Sequence, residues 1–279
     1  MVDIHFSKMI QQPLINFNLT RGSYHQFIEQ LLKLAINRKP AIVCVANVHM
    51  FVEARKDKNF LAIINDAEMV TPDGKPLTWA LRLLYGIKQD RVAGMDLLPD
   101  LLQKMEQKDL GVYFYGGSNE MLTNTTKHIL QKYPSLKVAG YYSPPFRALS
   151  ENEHQLIIQN INEANPHVVF VILGCPKQEK WMASVKGKIN AVMIGVGGAL
   201  PVMIGLQKRA PLWMQNAGLE WLYRLMQEPG RLFKRYAVTN THFVLTVLRE
   251  LFFLKFLQPL KLSKKKSIIH RSIKNSVNE

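Results

Sequence analysis

Asp73 is the carboxylate in this chain best placed by its neighbours to do acid–base chemistry. It stands in Met69-Val-Thr-Pro-Asp-Gly-Lys-Pro76, where a Pro-Asp-Gly turn holds it at a tight, exposed corner ahead of a helix. A carboxylate fixed there can take a proton from a substrate hydroxyl, or it can serve the fold as a turn former or N-cap. Arg91-Val-Ala-Gly-Met-Asp96 sets a guanidinium and a carboxylate across a glycine turn. Arg91 is then a surface residue or a phosphate ligand, and Asp96 reads as the N-cap of a helix beginning at Leu97. Tyr115-Gly-Gly-Ser118 is a strand-to-helix turn whose glycines let backbone approach a diphosphate, with Ser118 as N-cap. Asn47, at the end of another apolar run, can cap the next helix or donate to a ligand.

The most informative stretch is Val168 to Trp181. An apolar run ends at Gly174, and Cys-Pro-Lys-Gln-Glu-Lys-Trp follows at once, with Pro176 in the first turn of a helix. A buried strand that runs straight into a polar helix start is where open α/β sheets bind ligands, although an ordinary solvated turn has the same outline.

The missing signatures narrow the chemistry. There is no H-E-x-x-H, no Cys/His cluster, no G-x-S-x-G, no G-x-G-x-x-G and no P-loop Lys-Ser/Thr. An Asp-x-Asp pair that would hold a metal on a nucleotide diphosphate is also missing. Diphosphate chemistry here would rely on Arg, Lys and backbone N–H groups. Cys44 and Cys175 lack metal or redox spacing and read as reduced core thiols.

These residues need a scaffold, and the apolar pattern supplies one. Strands are expected at 41–46, 111–115, 137–142, 168–173 and 190–196, with a short one near 69–71. Helical periodicity covers 22–36, 49–64, 75–85, 95–108, 118–132, 151–164 and 177–186. Single strands separated by helices imply an α/β fold, a Rossmann-like, mainly parallel sheet flanked by helices.

The chain changes character after Gly195-Val-Gly-Gly198. It has 279 residues and a formal net charge of +15. From Lys208 onward fourteen Lys and Arg face four Glu, which is ten of those fifteen charges. Such asymmetry calls for an anionic partner, either nucleic acid or a membrane surface. Residues 241–257 read as an apolar helix stopped by Pro259, with His242, Thr246, Arg249 and Glu250 on one narrow stripe and basic residues to 266. It suits a core or self-pairing helix, which leaves a homo-oligomer open, or an in-plane helix on an anionic membrane. No run of eighteen apolar residues crosses a bilayer, and the first residues lack the pattern of a signal peptide. The expected division is a catalytic domain over 1–204, a basic helical appendage over 205–262, and an unstructured polar tail over 263–279.

Taken in order, Thr71-Pro-Asp-Gly74, Arg91-x-x-Gly-x-Asp96, Gly174-Cys-Pro-Lys-Gln-Glu-Lys-Trp181, Gly195-Val-Gly-Gly198 and Arg209-Ala-Pro-x-Trp213 form a series. Gly218-Leu-Glu-Trp-Leu-Tyr-Arg-Leu225, Glu228-Pro229 and Arg231 complete it. The series resembles the WecG/TagA/CpsF family of bacterial glycosyltransferases over about residues 40–236. The resemblance implies an inverting, metal-independent transfer from a nucleoside-diphosphate sugar, UDP by preference, to a polyprenyl-diphosphate-linked sugar. That places the protein on the cytoplasmic face of the plasma membrane, peripherally bound through 241–266, without a cofactor and without nucleic acid. The wording around Asp73 is closer to the exopolysaccharide branch than to the teichoic acid branch.

By the same resemblance, Asp73 matches the family's catalytic base. Asn47, Thr71, Gly74, Arg91, Gly174, Lys177, Gln178, Glu179, Gly195 and Gly197 fall on the donor side. Arg209, Arg224, Arg231, Lys234 and Arg235 match appendage cations that reach diphosphates or the acceptor. Two positions depart from the family pattern: Val45 stands where a threonine is common, and Pro201 where many relatives carry aspartate. They motivate the rival reading of a nucleotide-sugar-binding protein without catalysis. The charge motivates a nucleic-acid-binding one, which the apolar helix beside the cations disfavours.

Overall fold

Short, fully apolar runs build the centre of the molecule, because a parallel strand covered on both faces must be apolar along its whole length. In the computed structural model, which describes residues 9–257, a hairpin of β1 (Gln11–Leu14) and β2 (Phe17–Thr20) comes first. The main strands are β3 (Ala41–Ala46), β4 (Met69–Pro72), β5 (Val112–Gly116), β6 (Val138–Tyr142), β7 (Val168–Ile172) and β8 (Val192–Gly195). They lie in the order β4-β3-β8-β7-β5-β6, and every neighbouring pair is parallel. All six carboxyl ends therefore meet one edge of the sheet. The hairpin was not expected from the sequence: four-residue strands with Pro13 inside one of them carry too little pattern.

The helices are α1 (Tyr24–Ile36), α2 (Val48–Lys56), α3 (Lys58–Asn65), α4 (Lys75–Tyr85), α5 (Gly94–Gln107) and α6 (Asn119–Lys132). They continue with α7 (Glu151–Ala164), α8 (Lys177–Ser184), α9 (Leu200–Met203), α10 (Leu212–Asn216), α11 (Glu220–Gln227) and α12 (Pro229–Phe252). Two boundaries correct the sequence reading. The span 49–64 is two helices, because Asp57 leaves helical geometry and caps α3, its carboxylate accepting from Asn59 N at 3.0 Å and Phe60 N at 3.1 Å. Asp96 is not an N-cap: α5 begins at Gly94, and Asp96 lies in its first turn.

Strand alternation divides the core into two layers. From β3, Ile42, Cys44 and Ala46 join Phe51, Phe60 and Met182 on one face. Ala41, Val43 and Val45 join Phe27, Leu98 and Leu102 on the other. Cys44 is buried and both cysteines are free thiols.

The apolar segment expected at 241–257 is the second half of α12, followed by one π turn over Phe253–Leu257. The helix starts at Pro229, whose missing N–H costs nothing in a first turn. Its apolar residues divide between two surroundings. Phe243 and Val247 are buried, and the Phe243 ring meets Phe51 of α2 edge-on at 5.2 Å. Val244, Leu248 and Phe252 are 52–54% exposed. The polar stripe does not stand apart in solvent, since His242, Thr246, Arg249 and Glu250 border a shallow groove with Ile15 and Arg55. Pro259, the basic run 261–266 and the tail 263–279 lie outside the described residues.

Candidate functional site

Because the six strands are parallel, the loops after them converge on one cavity of about 1260 Å³. Asn47 follows β3, Asp73 follows β4, and Gly117 and Ser118 follow β5. Pro144 to Leu149 follow β6, Gly174 to Gln178 follow β7, and Val196 to Ala199 follow β8. The C-terminal helices roof this edge with Gly218, Glu220, Trp221, Arg224, Arg231, Arg235 and Tyr236.

Asp73 is held at its backbone and at its side chain. Its own N–H donates to Ala46 O at 2.8 Å, which extends the β3–β4 pairing by one residue. Its Oδ1 accepts from Gly94 N at 3.2 Å. Gly94 suits that approach: a Cβ there would stand 3.3 Å from both Val45 Cγ1 and Ala199 Cβ, so a neighbour would have to give by a few tenths of an ångström. Burial pushes the Asp73 carboxyl up to about 6, and the Glu220 carboxylate adds to the rise, while Arg91, the Gly94 N–H and Arg224 oppose it. The expected exposed corner is thus partly buried, because the roof covers it. The helix-capping alternative also falls, since Gly74 occupies the N-cap of α4.

Around Asp73 lies a closed ion-pair cluster. Arg91 donates to Asp96 at 2.8 Å and to Glu220 at 2.7 Å. Arg209 donates to Asp96 at 2.5 Å and lies 3.6 Å from Glu220. Two residues from the sheet domain and two from the C-terminal segment thereby join across the cavity wall. Low exposure of Arg91 and Glu220, 15% and 16%, makes such pairs stronger than surface bridges.

Further roof cations line the cavity: Arg224 from α11, and Arg231 and Arg235 one turn apart on α12. Arg224 lies over the β8 turn, where a Cβ on Gly198 would stand 3.0 Å from its Nη2. Glu228 accepts hydrogen bonds from Arg231 and from Gln207, which fixes this wall. His49 of α2 is pushed below its ordinary value by burial and by Arg235. The Nδ1 of His49 and the Nε of Arg235 are both buried without a hydrogen-bond partner.

On the β7 side, Asn47 uses its carboxamide oxygen to cap α2 at Met50 N, 3.1 Å, and still faces the cavity. Trp181 of α8 stacks on Tyr115 at the end of β5, 3.9 Å between ring centroids, so helix and strand share one aromatic wall. Gln178 lines the cavity but is only 4% exposed.

Of the residues named from sequence, Asn47, Asp73, Gly74, Arg91, Gly174, Lys177, Gln178, Gly195, Gly197, Arg224, Arg231 and Arg235 all line this cavity. Four do not. Thr71 has no exposed surface and spends its hydroxyl on Val92 O at 3.2 Å. Glu179 is equally sealed, behind Gln178. Arg209 is turned into the ion-pair cluster, and Lys234 is exposed on the outside of α12. Sequence reasoning gave no role to Glu220, His49, Tyr236 or Asn240, although all four line the site. The regular spacing of 220, 224, 228, 231 and 235 was the available signal for Glu220.

A parallel α/β sheet whose carboxyl edge gathers a carboxylate and a cationic roof around one cavity has the layout of a ligand-handling α/β protein. The chain matches the Glycosyl transferase WecG/TagA/CpsF family over residues 12–256, and it belongs to that family. It is therefore a glycosyltransferase. It is similar to the N-acetylglucosaminyldiphosphoundecaprenol N-acetyl-beta-D-mannosaminyltransferase of Bacillus subtilis (strain 168), at 33% identity over 85% of this chain and 89% of that protein. Proteins of the same name are 29% identical in Bacillus spizizenii, over 80% of this chain and 86% of theirs, and 26% identical in Staphylococcus aureus (strain MW2), over 74% and 81%.

Proposed function

We propose that this protein moves an N-acetylhexosamine, of the N-acetylmannosamine type named for its relatives, from a UDP donor to a polyprenyl-diphosphate-linked sugar, with inversion and without a metal. The observation that carries this reading is the Asp73 carboxyl, raised to about 6 at the cavity wall and faced by the Arg224, Arg231 and Arg235 roof. In a single displacement, the acceptor hydroxyl loses its proton to Asp73 as its oxygen bonds to C1 of the donor sugar. The bond from C1 to the diphosphate breaks, and the nucleoside diphosphate leaves with the electron pair. Attack opposite the leaving group inverts C1. A base poised near neutrality is suited to that proton.

The leaving diphosphate needs positive charge. Arg224, Arg231 and Arg235 supply it where other folds use a metal held by an Asp-x-Asp pair, which this sequence lacks. Among the described residues no group of three His, Cys, Asp or Glu is placed to hold a metal ion. Asn47, Gly74, Gly174, Lys177, Gln178, Gly195 and Gly197 border the donor, and the Arg91–Glu220 cluster clamps a C-terminal appendage, residues 205–262, onto the catalytic domain, residues 1–204.

The membrane reading rests on α12. Among the described residues no helix is long and apolar enough to cross a membrane. The exposed Val244, Leu248 and Phe252, with Lys255 just beyond, fit an in-plane contact with anionic lipid on the cytoplasmic face. The deciding experiment is a donor screen. Purified protein is mixed with UDP-N-acetylhexosamines and a synthetic prenyl-diphosphate-N-acetylglucosamine, and products are read by mass spectrometry. UDP-N-acetylmannosamine is expected to give transfer; binding of it without transfer to any lipid acceptor would leave a non-catalytic binding protein.

A further inference from the structure

The transfer just described has no use for one of the most deeply buried carboxylates in the chain. Glu179, in the first turn of α8, has no exposed surface. Its Oε1 accepts a hydrogen bond from Gln178 Nε2 at 2.6 Å; its Oε2 is buried without a well-formed hydrogen bond, and the Cys175 thiol is the other side-chain donor that interacts with the carboxyl. Burial pushes its carboxyl up to about 7, against the pull of the Gln178 amide. Keeping such a group inside costs stability that an apolar side chain of similar size would not.

The neighbouring Gln178 shows what that cost obtains. Its Oε1 accepts from Gly174 N at 3.2 Å, so both ends of the amide are committed within the protein. The amide lies across the end of β8. A Cβ on Gly195 would stand 2.8 Å from Nε2, and one on Gly197 would stand 2.9 Å from Oε1. These two glycines therefore make room for the Gln178 amide. A side-chain amide presents an oxygen and a nitrogen of nearly equal size, so packing alone does not choose its orientation. Two fixed partners do choose: the ionised Glu179 carboxylate can only accept and the Gly174 N–H can only donate, so together they set Nε2 toward Glu179 and Oε1 toward Gly174. Gln178 lines the cavity, so the orientation of its amide decides which polar atom a bound ligand meets.

We propose that Glu179 is a positioning residue for donor binding: it never touches the nucleotide sugar but sets the orientation in which the Gln178 amide meets it. The proposal rests on the donor reading of Gln178 given above. It also reassigns Glu179, which the family resemblance had put among the donor-contacting residues.

The test is a double-mutant cycle on the full chain, reading KM for UDP-N-acetylmannosamine, kcat and Tm. Gln178→Met is expected to raise the donor KM about tenfold, the size of one lost polar contact, with kcat little changed. Glu179→Met is expected to raise it similarly, and the double variant to be no worse than Gln178→Met alone. Glu179→Gln keeps an acceptor oxygen and is expected to restore KM towards wild type. A wild-type KM in Glu179→Met, or additive effects in the double variant, overturns the proposal and leaves the donor reading standing. A wild-type KM in Gln178→Met overturns the donor reading itself. If Glu179→Met does not fold, Glu179→Ala is read in its place by the same criteria: a raised donor KM that Glu179→Gln restores supports the proposal, and a wild-type KM overturns it.

Discussion

Arg91 Nη1 donates to Glu220 Oε2 at 2.7 Å, across 129 residues of sequence. This pair joins the turn before α5 to the first turn of α11, and both residues lie on the cavity that holds Asp73. The same Glu220 carboxylate raises the Asp73 carboxyl, whereas Arg91 lowers it. One contact thus docks the C-terminal helices, and its two members push the carboxyl they cover in opposite directions.

Asp73→Asn is expected to fold normally and to lose turnover by about 10²–10⁴-fold, the usual worth of a general base. Retained turnover with native circular dichroism would remove Asp73 from the mechanism. Stability should move the other way. An acid whose folded value, about 6, exceeds its ordinary 3.8 stabilises the fold fully below 3.8 and loses that contribution as pH rises through 6. At pH 7.5 the asparagine variant should therefore melt at or above the wild-type temperature.

The pH–rate profile should show the same group. Since the base must be ionised, kcat/KM is expected to rise with pH and level off above about 6. Glu220→Gln removes the largest raising influence after burial, so its acidic limb should shift to lower pH. An unmoved limb would mean that the two carboxylates do not sense each other.

Arg224→Ala should lower kcat/KM about a hundredfold, as expected for removing a charge-assisted donor from a leaving diphosphate. Gly198→Ala approaches the same guanidinium without touching its charge, because the new Cβ would stand 3.0 Å from Arg224 Nη2. A smaller loss of the same kind is expected there. EDTA should leave the wild-type rate unchanged; a collapse restored by Mg²⁺ or Mn²⁺ would displace the arginine roof from this role.

The two faces of α12 should separate under substitution. Phe243→Ala empties a buried site against Phe51 and should cost about 3–5 kcal/mol of stability, read by urea unfolding. The double change Leu248→Glu and Phe252→Glu alters only exposed positions. It should reduce sedimentation with anionic vesicles yet spare transfer to a short-chain, water-soluble acceptor. Undiminished sedimentation would remove this face from the membrane contact.

Much of the scaffold was legible from the chain alone. Residues 41–46, 75–85 and 151–164 were located to the residue, because each is a continuous buried run or a strongly periodic helix with clear end signals. The break at Asp57 was not, since a residue that caps one helix looks like an ordinary polar position inside a longer one. The hairpin β1–β2 escaped for want of length. Half of α12 was missed because Arg231, Lys234 and Arg235 dilute its apolar pattern at the roof.

For the site, residue types at strand ends identify Asp73, Asn47, Gln178 and the glycines around them, because a parallel sheet must bring its carboxyl ends together. Local sequence reaches no further than that edge. That Glu220 bonds Arg91 and that Asp73 is covered rather than exposed depend on where the chain returns after more than a hundred residues, and the place of Arg224 over Gly198 depends on the same return. Such contacts are set by the docking of α12 on α2 and α4, with α11 packed on α12, and no spacing within a single helix or turn encodes them. The burial of Glu179 behind Gln178 is of the same kind: a polar first turn reads as solvated until β8 closes over it.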